Sequence, residues 1–197
     1  MTEDLNGMHN NPGKNQEKLS VRVEIAAPKD WIIYKELRIL ALSGKDGRMF
    51  GATPEKIAAA NARTDEEWQE DLSLDDEFIV LSWCDDEPAG MGGAFKKEEG
   101  YWRMNSGYVK EKFRGEGLQN RMIALRLKEI QRQGGVRVVT GVEIGNKISM
   151  RNCKSFGFLS KDPPDIELFN GDQFLQIEIP DLNDPVIIKR IEEVLNK

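Results

Sequence analysis

The sequence contains a single histidine and two cysteines among its 197 residues. The histidine, His9, lies in an amino-terminal stretch rich in Asn, Gly, Lys and Glu. A Ser-His-Asp triad, a Cys-His pair and a His-rich zinc site each need a histidine within the folded domain. We therefore exclude these three kinds of site and expect no bound metal.

The two cysteines, Cys84 and Cys153, are too few to form a disulfide framework in a chain of this length. The first 20 residues also lack the apolar segment of a signal peptide and the Arg-rich pattern of a transit peptide. We therefore predict a disordered tail over residues 1–20, a single domain over residues 21–197, and a reducing, cytoplasmic location.

Long apolar runs and a basic face are missing as well. No run approaches the roughly 20 apolar residues that a membrane-spanning helix needs. The formal net charge is −6, and acidic and basic residues are interspersed along the chain. Because binding to a nucleic acid backbone requires clustered positive charge, we expect neither nucleic acid nor a membrane as a partner.

Hydrophobic periodicity divides the predicted domain into strands and helices. The pattern predicts strands over residues 21–25, 78–84, 89–96, 101–109, 136–144 and 174–179. It predicts helices over residues 30–42, 54–60, 118–132 and 147–155, a short helix from Thr64, and a terminal helix from Asp184. Strands that lead into a strand-helix-strand unit indicate a mixed α/β sheet flanked by helices.

A glycine turn joins the predicted strand 101–109 to the longest predicted helix, with the sequence Arg114-Gly115-Glu116-Gly117-Leu118. The free N–H groups and the dipole at a helix start attract anions, and glycine lets the backbone approach a phosphate closely. A Rossmann fingerprint needs a third glycine where Asn120 stands, and a P-loop needs Gly-Lys-Ser/Thr. The turn therefore fits a pyrophosphate outside those two motifs, although such a turn is about as often only a turn.

The same turn resembles the signature Arg/Gln-x-x-Gly-x-Gly/Ala of the GNAT superfamily of acetyltransferases, except at Gln119. The stretch from Asn146 through Ser149 to Phe156-Gly157-Phe158 is similar to a second segment of that family. The resemblance extends over residues 21–179. It implies an α/β (α+β) fold with a mixed, mostly antiparallel sheet, splayed fourth and fifth strands and flanking helices. It also implies acetyl-CoA as cosubstrate, bound by residues 109–158.

The resemblance further implies which residues hold acetyl-CoA. In the family, the pantetheine arm lies in the gap between the splayed strands and bonds the fourth strand as another strand would. The residues that correspond in this sequence are Tyr108 and Val109 at the gap, Arg114, Gly115, Glu116, Gly117, Leu118 and Gln119 at the pyrophosphate, and Asn146 near the pantetheine.

The implied reaction is direct attack on the thioester by a primary amine of a small molecule or peptide. An alkyl ammonium must first lose a proton. Glu143 is the candidate base because it lies at the predicted splay and shares strand parity with Gly141, which directs its carboxylate to the acceptor side. A carboxylate at a strand end is more commonly only solvated, and this alternative stays open. Tyr101, Ser106 and Tyr108 are candidates for assisting through water. The backbone N–H of Val109 or Lys110 is the candidate oxyanion donor.

A tyrosine that protonates the leaving thiolate in the family corresponds to Cys153. A thiol can donate a proton, but a cysteine on a helix can equally be a small buried side chain. An acetyl-CoA-binding regulatory module with impaired catalysis is therefore the alternative to an enzyme, and a nucleotide-binding protein is a third possibility. Phe50, Trp68 and Trp83 are candidates for the acceptor pocket, although aromatic residues at such positions more often belong to the core. A homodimer is compatible with the sequence.

Overall fold

The computed structural model describes residues 19–169 and 171–197. The strands are β1 (Val21–Ile25), β2 (Glu77–Cys84), β3 (Glu87–Lys96), β4 (Trp102–Val109), β5 (Val138–Glu143), β6 (Leu159–Ser160), β7 (Ile166–Phe169) and β8 (Asp172–Ile179). The helices are α1 (Trp31–Ser43), α2 (Pro54–Ala62), α3 (Asp65–Glu70), α4 (Leu118–Arg132), α5 (Lys147–Lys154) and α6 (Pro185–Leu195). Single 3-10 turns occupy Pro28–Asp30, Gly47–Phe50 and Glu111–Phe113.

The strands form one sheet in the order β1-β2-β3-β4-β5-β8-β6, and β7 pairs with β8. All neighbouring strands are antiparallel except the parallel pair β4–β5. The mixed, mostly antiparallel sheet predicted from the sequence is thus confirmed. No helix within the described ranges has the length and apolar character needed to cross a bilayer.

Helices cover both faces of this sheet because alternate residues of a strand point to opposite sides. Phe78 and Val80 of β2 pack with α4 and α6 in one buried cluster. Ile79 and Leu81 pack with α1 to α3 in a second cluster that includes Trp68. The sheet therefore separates two cores, one on each face. A site in a gap between two of its strands can be reached from the helices on either face.

Polar side chains cap the starts of α2 and α3. Thr64 and Glu67 form the predicted capping box, in which the Thr64 N–H donates to Glu67 Oε2 (2.7 Å) and the Glu67 N–H donates to Thr64 Oγ1 (3.3 Å). Thr53 caps α2 by accepting from the N–H of Lys56 (3.2 Å). These caps satisfy N–H groups that have no partner inside the helix.

The structure corrects several predicted boundaries. Strands β6 and β7 were missed because all their residues are exposed, so no apolar alternation marks them. Strand β5 begins at Val138, not at residue 136, and β8 begins at Asp172, not at residue 174. Residues 1–18 of the predicted tail lie outside the described residues. Ser20, which the prediction placed in that tail, exchanges backbone and side-chain hydrogen bonds with Asp85 at 2.8 and 2.9 Å.

Strand β4 contains a bulge near its middle. Its pairing with β3 passes from Met91–Tyr108 to Gly93–Asn105, so two residues of β4, Ser106 and Gly107, lie opposite one residue of β3. Ser106 has a φ of 54°. A bulge bends the strand and changes the direction of the following side chains. The last residues of β4 therefore run in a different direction from its first three residues.

Arg126 of α4 supports this bulge from behind. The side chain is only 2% exposed, and Nη1 donates to the carbonyls of Gly93 (3.2 Å) and Asn105 (3.1 Å). Nε donates to the carbonyl of Met122 (3.1 Å). A Cβ at Gly92 would lie 2.9 Å from Arg126 Cζ, so only glycine leaves room for the guanidinium. Burial lowers the pKa of Arg126 to about 10, and no carboxylate within the described ranges pairs with it.

We predict that Arg126→Met lowers the free energy of unfolding by about 2 kcal/mol, because carbonyls at the bulge lose their donor. Lys128→Met, an exposed position on the same helix, is the matched control and should change stability by less than about 0.5 kcal/mol. Urea unfolding followed by tryptophan fluorescence measures both. Equal midpoints for the two variants would show that Arg126 does not hold the bulge.

Candidate functional site

Strands β4 and β5 pair over only three residues. Trp102 lies beside Val138, Arg103 beside Val139 and Met104 beside Thr140. The hydroxyl of Thr140 donates to the carbonyl of Met104 (3.0 Å) at this last pair. Beyond it, β4 continues to Val109 along β3, whereas β5 continues along β8. The predicted splay is present, and it leaves a gap that opens toward the end of β4.

At the end of β4, the backbone groups of one residue, Val109, face this gap. The N–H of Lys110 donates to the carbonyl of Ala89 (2.8 Å), which rules out Lys110 as an oxyanion donor. Since successive residues of a strand direct their N–H groups to opposite edges, the N–H of Val109 points away from β3. The carbonyl of Val109 accepts from Arg114 Nε (3.2 Å), in agreement with that direction.

A row of unused N–H groups lies just beyond β4. Gly117 is the N-cap of α4, with a φ of 75°, and provides no side chain to cap the helix. Gly115 has a φ of 98°. The first bond of the helix runs from the N–H of Arg121 to the carbonyl of Gly117 (3.1 Å), and no acceptor in residues 19–169 or 171–197 takes the N–H of residues 115–120.

The row is open to ligand. A Cβ built on Gly115 or Gly117 would meet no atom within 4 Å. Consecutive unpaired N–H groups at a helix start form an anion site, and positive φ lets neighbouring N–H groups converge. The geometry therefore fits a pyrophosphate, which would accept several of these hydrogen bonds at once.

Arg114 lies at the edge of this row and connects three segments. Its Nη2 pairs with Asp46 in the loop after α1, while Nε binds the end of β4. Beside this ion pair, the end of α1 and the end of β4 enclose a cavity of about 370 Å³. Its polar lining consists of Lys45, Asp46, Tyr108, Lys110, Glu111, Lys112 and Arg114. Arg114 therefore connects the loop after α1 to the end of β4, and Asp46 compensates part of its charge.

Gln119 departs from the family signature, and the structure shows where its side chain lies. A Cβ at Gly107 would be 2.7 Å from Gln119 Nε2. The amide of Gln119 therefore rests on the bulge of β4 and occupies space that only glycine at position 107 leaves. The N–H row is not obstructed by the Gln119 side chain.

Asn146 begins α5. Its Oδ1 accepts from the N–H of Ser149 (3.0 Å), and its Nδ2 lies 3.4 Å from Met49 Sδ. The Asn-x-x-Ser spacing noted in the sequence is thus a helix cap. Asn146 connects α5 with the 3-10 turn after α1, across the mouth of the gap.

Glu143 ends β5 on the face opposite Val142, whose side chain is in the α4 core. A Cβ at Gly145 would be 3.0 Å from a Glu143 carboxylate oxygen, so the carboxylate lies over the turn that follows β5. Its charge acts on Arg48, which also pairs with Asp172 at 2.6 Å. Glu143 is therefore on the α1 side of the gap, as its strand position predicted.

Cys153 is buried on α5, at 5% exposure, in the cluster that contains α4. Burial raises the pKa of the Cys153 thiol to about 11, although the nearby charge of Arg126 acts in the opposite direction. The thiol is therefore protonated at neutral pH, which is compatible with either packing or proton donation.

Most of the other candidate residues named from the sequence lie away from the gap. Trp68 and Trp83 are 1% and 5% exposed and belong to the core, so they do not line an acceptor pocket. Tyr101 stacks on Arg137 (5.1 Å), at the opposite end of β4. Phe50 contacts Tyr108 edge to face, with ring centroids 5.8 Å apart. Only this last pair borders the α1 side of the gap, and burial raises the pKa of Tyr108.

The β7–β8 hairpin was not anticipated as part of this region. Arg48 Nε donates to Asp172 Oδ1 (2.8 Å), which connects the turn after α1 to the hairpin. A Cβ at Gly51 would come within 1.9 Å of Phe169, so this ring packs directly on the Gly51 backbone. The hairpin and the turn together cover the α1 side of the gap. No local sequence signal marks this contact, since Arg48 and Asp172 are 124 residues apart.

Comparison with known proteins relates this geometry to one family. The family model for the acetyltransferase (GNAT) family matches residues 49–158, which is more than half of the chain. No curated protein sequence matches the chain.

Solved structures share the fold at low identity. The structure of yncA from Salmonella typhimurium with its cofactor acetyl-CoA has a TM-score of 0.65 and 16% identity, covering 83% of this chain and 95% of that one. The paia N-acetyltransferase from Thermoplasma acidophilum in complex with coenzyme A has a TM-score of 0.61 and 12% identity, covering 80% and 98%. Ribosomal-protein-alanine N-acetyltransferase from Brucella melitensis has a TM-score of 0.65 and 16% identity, covering 80% and 98%.

We predict that neither cysteine of the folded protein reacts rapidly with a thiol reagent such as DTNB at pH 8. Both side chains are buried, and burial raises the pKa of each thiol, which removes the reactive thiolate. Absorbance should report fewer than 0.2 fast equivalents ("fast" meaning about a minute) in buffer and about two in denaturant. One full equivalent in buffer would show that a thiolate is accessible in the native state.

Proposed function

This chain belongs to the GNAT family of acetyltransferases, and we propose that it transfers an acetyl group from acetyl-CoA to a primary amine of a small molecule or peptide by direct attack. The observation that supports this most strongly is the row of unused N–H groups at residues 115–120, directly beside the gap between β4 and β5. A pyrophosphate and an extended arm need these two features next to each other.

The residues present fit acetyl-CoA. The N–H groups of Gly115, Gly117, Leu118 and Gln119 would bind the pyrophosphate, with Arg114 at its edge and Glu116 in the same turn. The end of β4 at Tyr108 and Val109 would lie along the pantetheine arm, with the N–H of Val109 facing it, as an added strand does. Asn146, across the mouth of the gap, would lie near the same arm. The bound group supplies an activated thioester carbonyl and a thiolate leaving group.

The chain itself would contribute an oxyanion donor and a proton acceptor. The N–H of Val109, directed into the gap, would donate to the carbonyl oxygen as negative charge develops on it. Glu143, on the α1 side, would take the proton that the ammonium must lose before it attacks. A water molecule bound at Ser106 or Tyr108 would assist where Glu143 does not reach the amine directly.

Departure of the CoA thiolate needs less help from a proton donor, because a thiolate is a weak base. Cys153 is protonated and lies near the buried charge of Arg126. The thiol is also enclosed by core side chains, so we assign its main contribution to packing.

A second function, an acetyl-CoA-binding regulatory module without turnover, is favoured by one observation. Within the described residues, Glu143 makes no hydrogen bond or ion pair within 4 Å that would fix its carboxylate toward an acceptor. Release of free CoA in the presence of polyamines, aminoglycosides, amino acids and peptide amino termini supports the enzyme. Tight CoA binding with no release from any amine supports the module.

We predict that Gly117→Ala weakens CoA binding about 10- to 100-fold, since a side chain at this φ distorts the turn and projects toward the pyrophosphate. Loss of one hydrogen bond to a charged group has this magnitude. Gly100→Ala is the matched control, because Gly100 has a φ of 83° and equally open surroundings in the β3–β4 turn. Calorimetric titration with CoA compares both variants. Unchanged affinity in a folded Gly117→Ala protein would place the anion site elsewhere.

We predict that Cys153→Ala lowers kcat by less than about tenfold, because the leaving group needs little protonation. The melting temperature should be followed in parallel, since the substitution leaves a small cavity in the α4 core. A larger fall in kcat at unchanged stability would identify Cys153 as a proton donor.

A further inference from the structure

Arg38 of α1 is an incompletely paired cation on the α1 side of the gap. Its Nη1 donates to Ser106 Oγ (3.0 Å) in the bulge of β4. An arginine side chain carries five N–H donors. Among the described residues, the guanidinium of Arg38 makes this one hydrogen bond and has no carboxylate within 4 Å. The side chain is also partly buried, so water does not fully replace the missing partners.

Other arginines of the same layer differ in this respect. Arg48 pairs with Asp172 (2.6 Å), Arg63 with Asp71 (2.7 Å) and Arg103 with Glu167 (2.6 Å). A partly buried guanidinium with no bonded carboxylate keeps free donors for an external anion. The charge of Arg38 also acts on Glu77, although that carboxylate forms no ion pair with it. Arg38 is therefore the guanidinium of this layer that an external carboxylate would complete.

A second cation lies in the same region. Lys56 Nζ donates to the carbonyl of Gly51 (3.1 Å) and lies 3.5 Å from the centre of the Phe169 ring, under the β7–β8 hairpin. No carboxylate of the described chain lies within 4 Å of it. The carbonyl that Lys56 binds follows Phe50, whose ring contacts Tyr108 at the end of β4. Burial lowers the pKa of Lys56, and the positive charge of Arg38 lowers it in the same direction. An anion between them would relieve this repulsion.

The position relative to the reaction limits the size of the ligand. Ser106, the partner of Arg38, precedes Val109 by three residues. At about 3.3 Å per residue, the two are no more than about 10 Å apart. A carboxylate on Arg38 and an amine at the thioester can then belong to one small molecule.

We infer that the acceptor is a small amine with a carboxylate near its amino group, as in an amino acid, and that Arg38, assisted by Lys56, binds this carboxylate. The inference rests on the proposed acetyl transfer and narrows its substrate class. A planar guanidinium binds a carboxylate through two parallel hydrogen bonds, which a neutral amide does not reproduce. A peptide amino terminus, which lacks a nearby carboxylate, would be a poor acceptor.

The test compares each of the twenty amino acids with its carboxamide, by release of free CoA. At least one amino acid should exceed its carboxamide by about tenfold or more in kcat/KM. Arg38→Met should bring this ratio close to one, and Arg38→Lys should retain part of it, because the charge remains without the planar fork. Arg22→Met on β1, whose side chain is exposed and paired with Glu24, should leave the ratio unchanged.

Four outcomes would overturn the inference. Carboxamides or peptides acetylated as fast as the amino acids would show that no carboxylate is recognised, while the acetyltransferase function would stand. An acid-to-amide ratio that survives Arg38→Met would assign Arg38 to support of the bulge through Ser106. If the Arg38→Met protein does not fold, Arg38→Lys and Ser106→Ala replace it in the test. An acid-to-amide ratio that equals the parent's in both variants contradicts the inference. CoA binding without turnover of any amine would instead remove the proposed function, and the inference with it.

Discussion

The separation of β4 from β5 after the pair Met104–Thr140 is the constraint on which the rest of the site depends. The hydrogen bond from the Thr140 hydroxyl to the Met104 carbonyl lies at the last residue pair of β4 and β5. The bulge at Ser106 and Gly107 then directs the end of β4 away from β5. Arg126 stabilises the bent strand by donating to carbonyls on both β3 and β4. A continuous sheet would have satisfied these backbone groups internally and left no gap for a ligand.

The gap brings together groups from the helices on both faces of the sheet. The α4 layer provides unused N–H groups at residues 115–120, which suit phosphate. The α1 layer provides Arg38 and Lys56, together with the carboxylate of Glu143. A donor molecule and an acceptor would thus approach the end of β4 from opposite faces of the sheet. This arrangement follows from the two-sided packing of a single sheet, because each face carries its own helices.

Features with local causes were predictable from the sequence. The glycine turn, the capping box at Thr64 and the order of the main strands depend on neighbouring residues, and periodicity or spacing reveals them. Contacts between distant segments were not predictable. Arg38 and Ser106 are 68 residues apart, and β7 is entirely exposed, so neither leaves a periodic signal. Trp68 and Trp83 could not be assigned from the sequence either, since aromatic composition alone does not distinguish a core from a pocket, and both belong to the core.

The two departures from the family signature are each matched by a neighbouring residue. Gln119 replaces a small residue, and Gly107 leaves the space in which its amide lies. Cys153 corresponds by resemblance to a tyrosine of the family, and burial raises the pKa of its thiol while the charge of the buried Arg126 guanidinium acts in the opposite direction. Burial nevertheless keeps the Cys153 thiol protonated at neutral pH. A cysteine where the family has a tyrosine acid therefore does not in itself argue against turnover, because a thiolate is a weak base and leaves with little help from an acid.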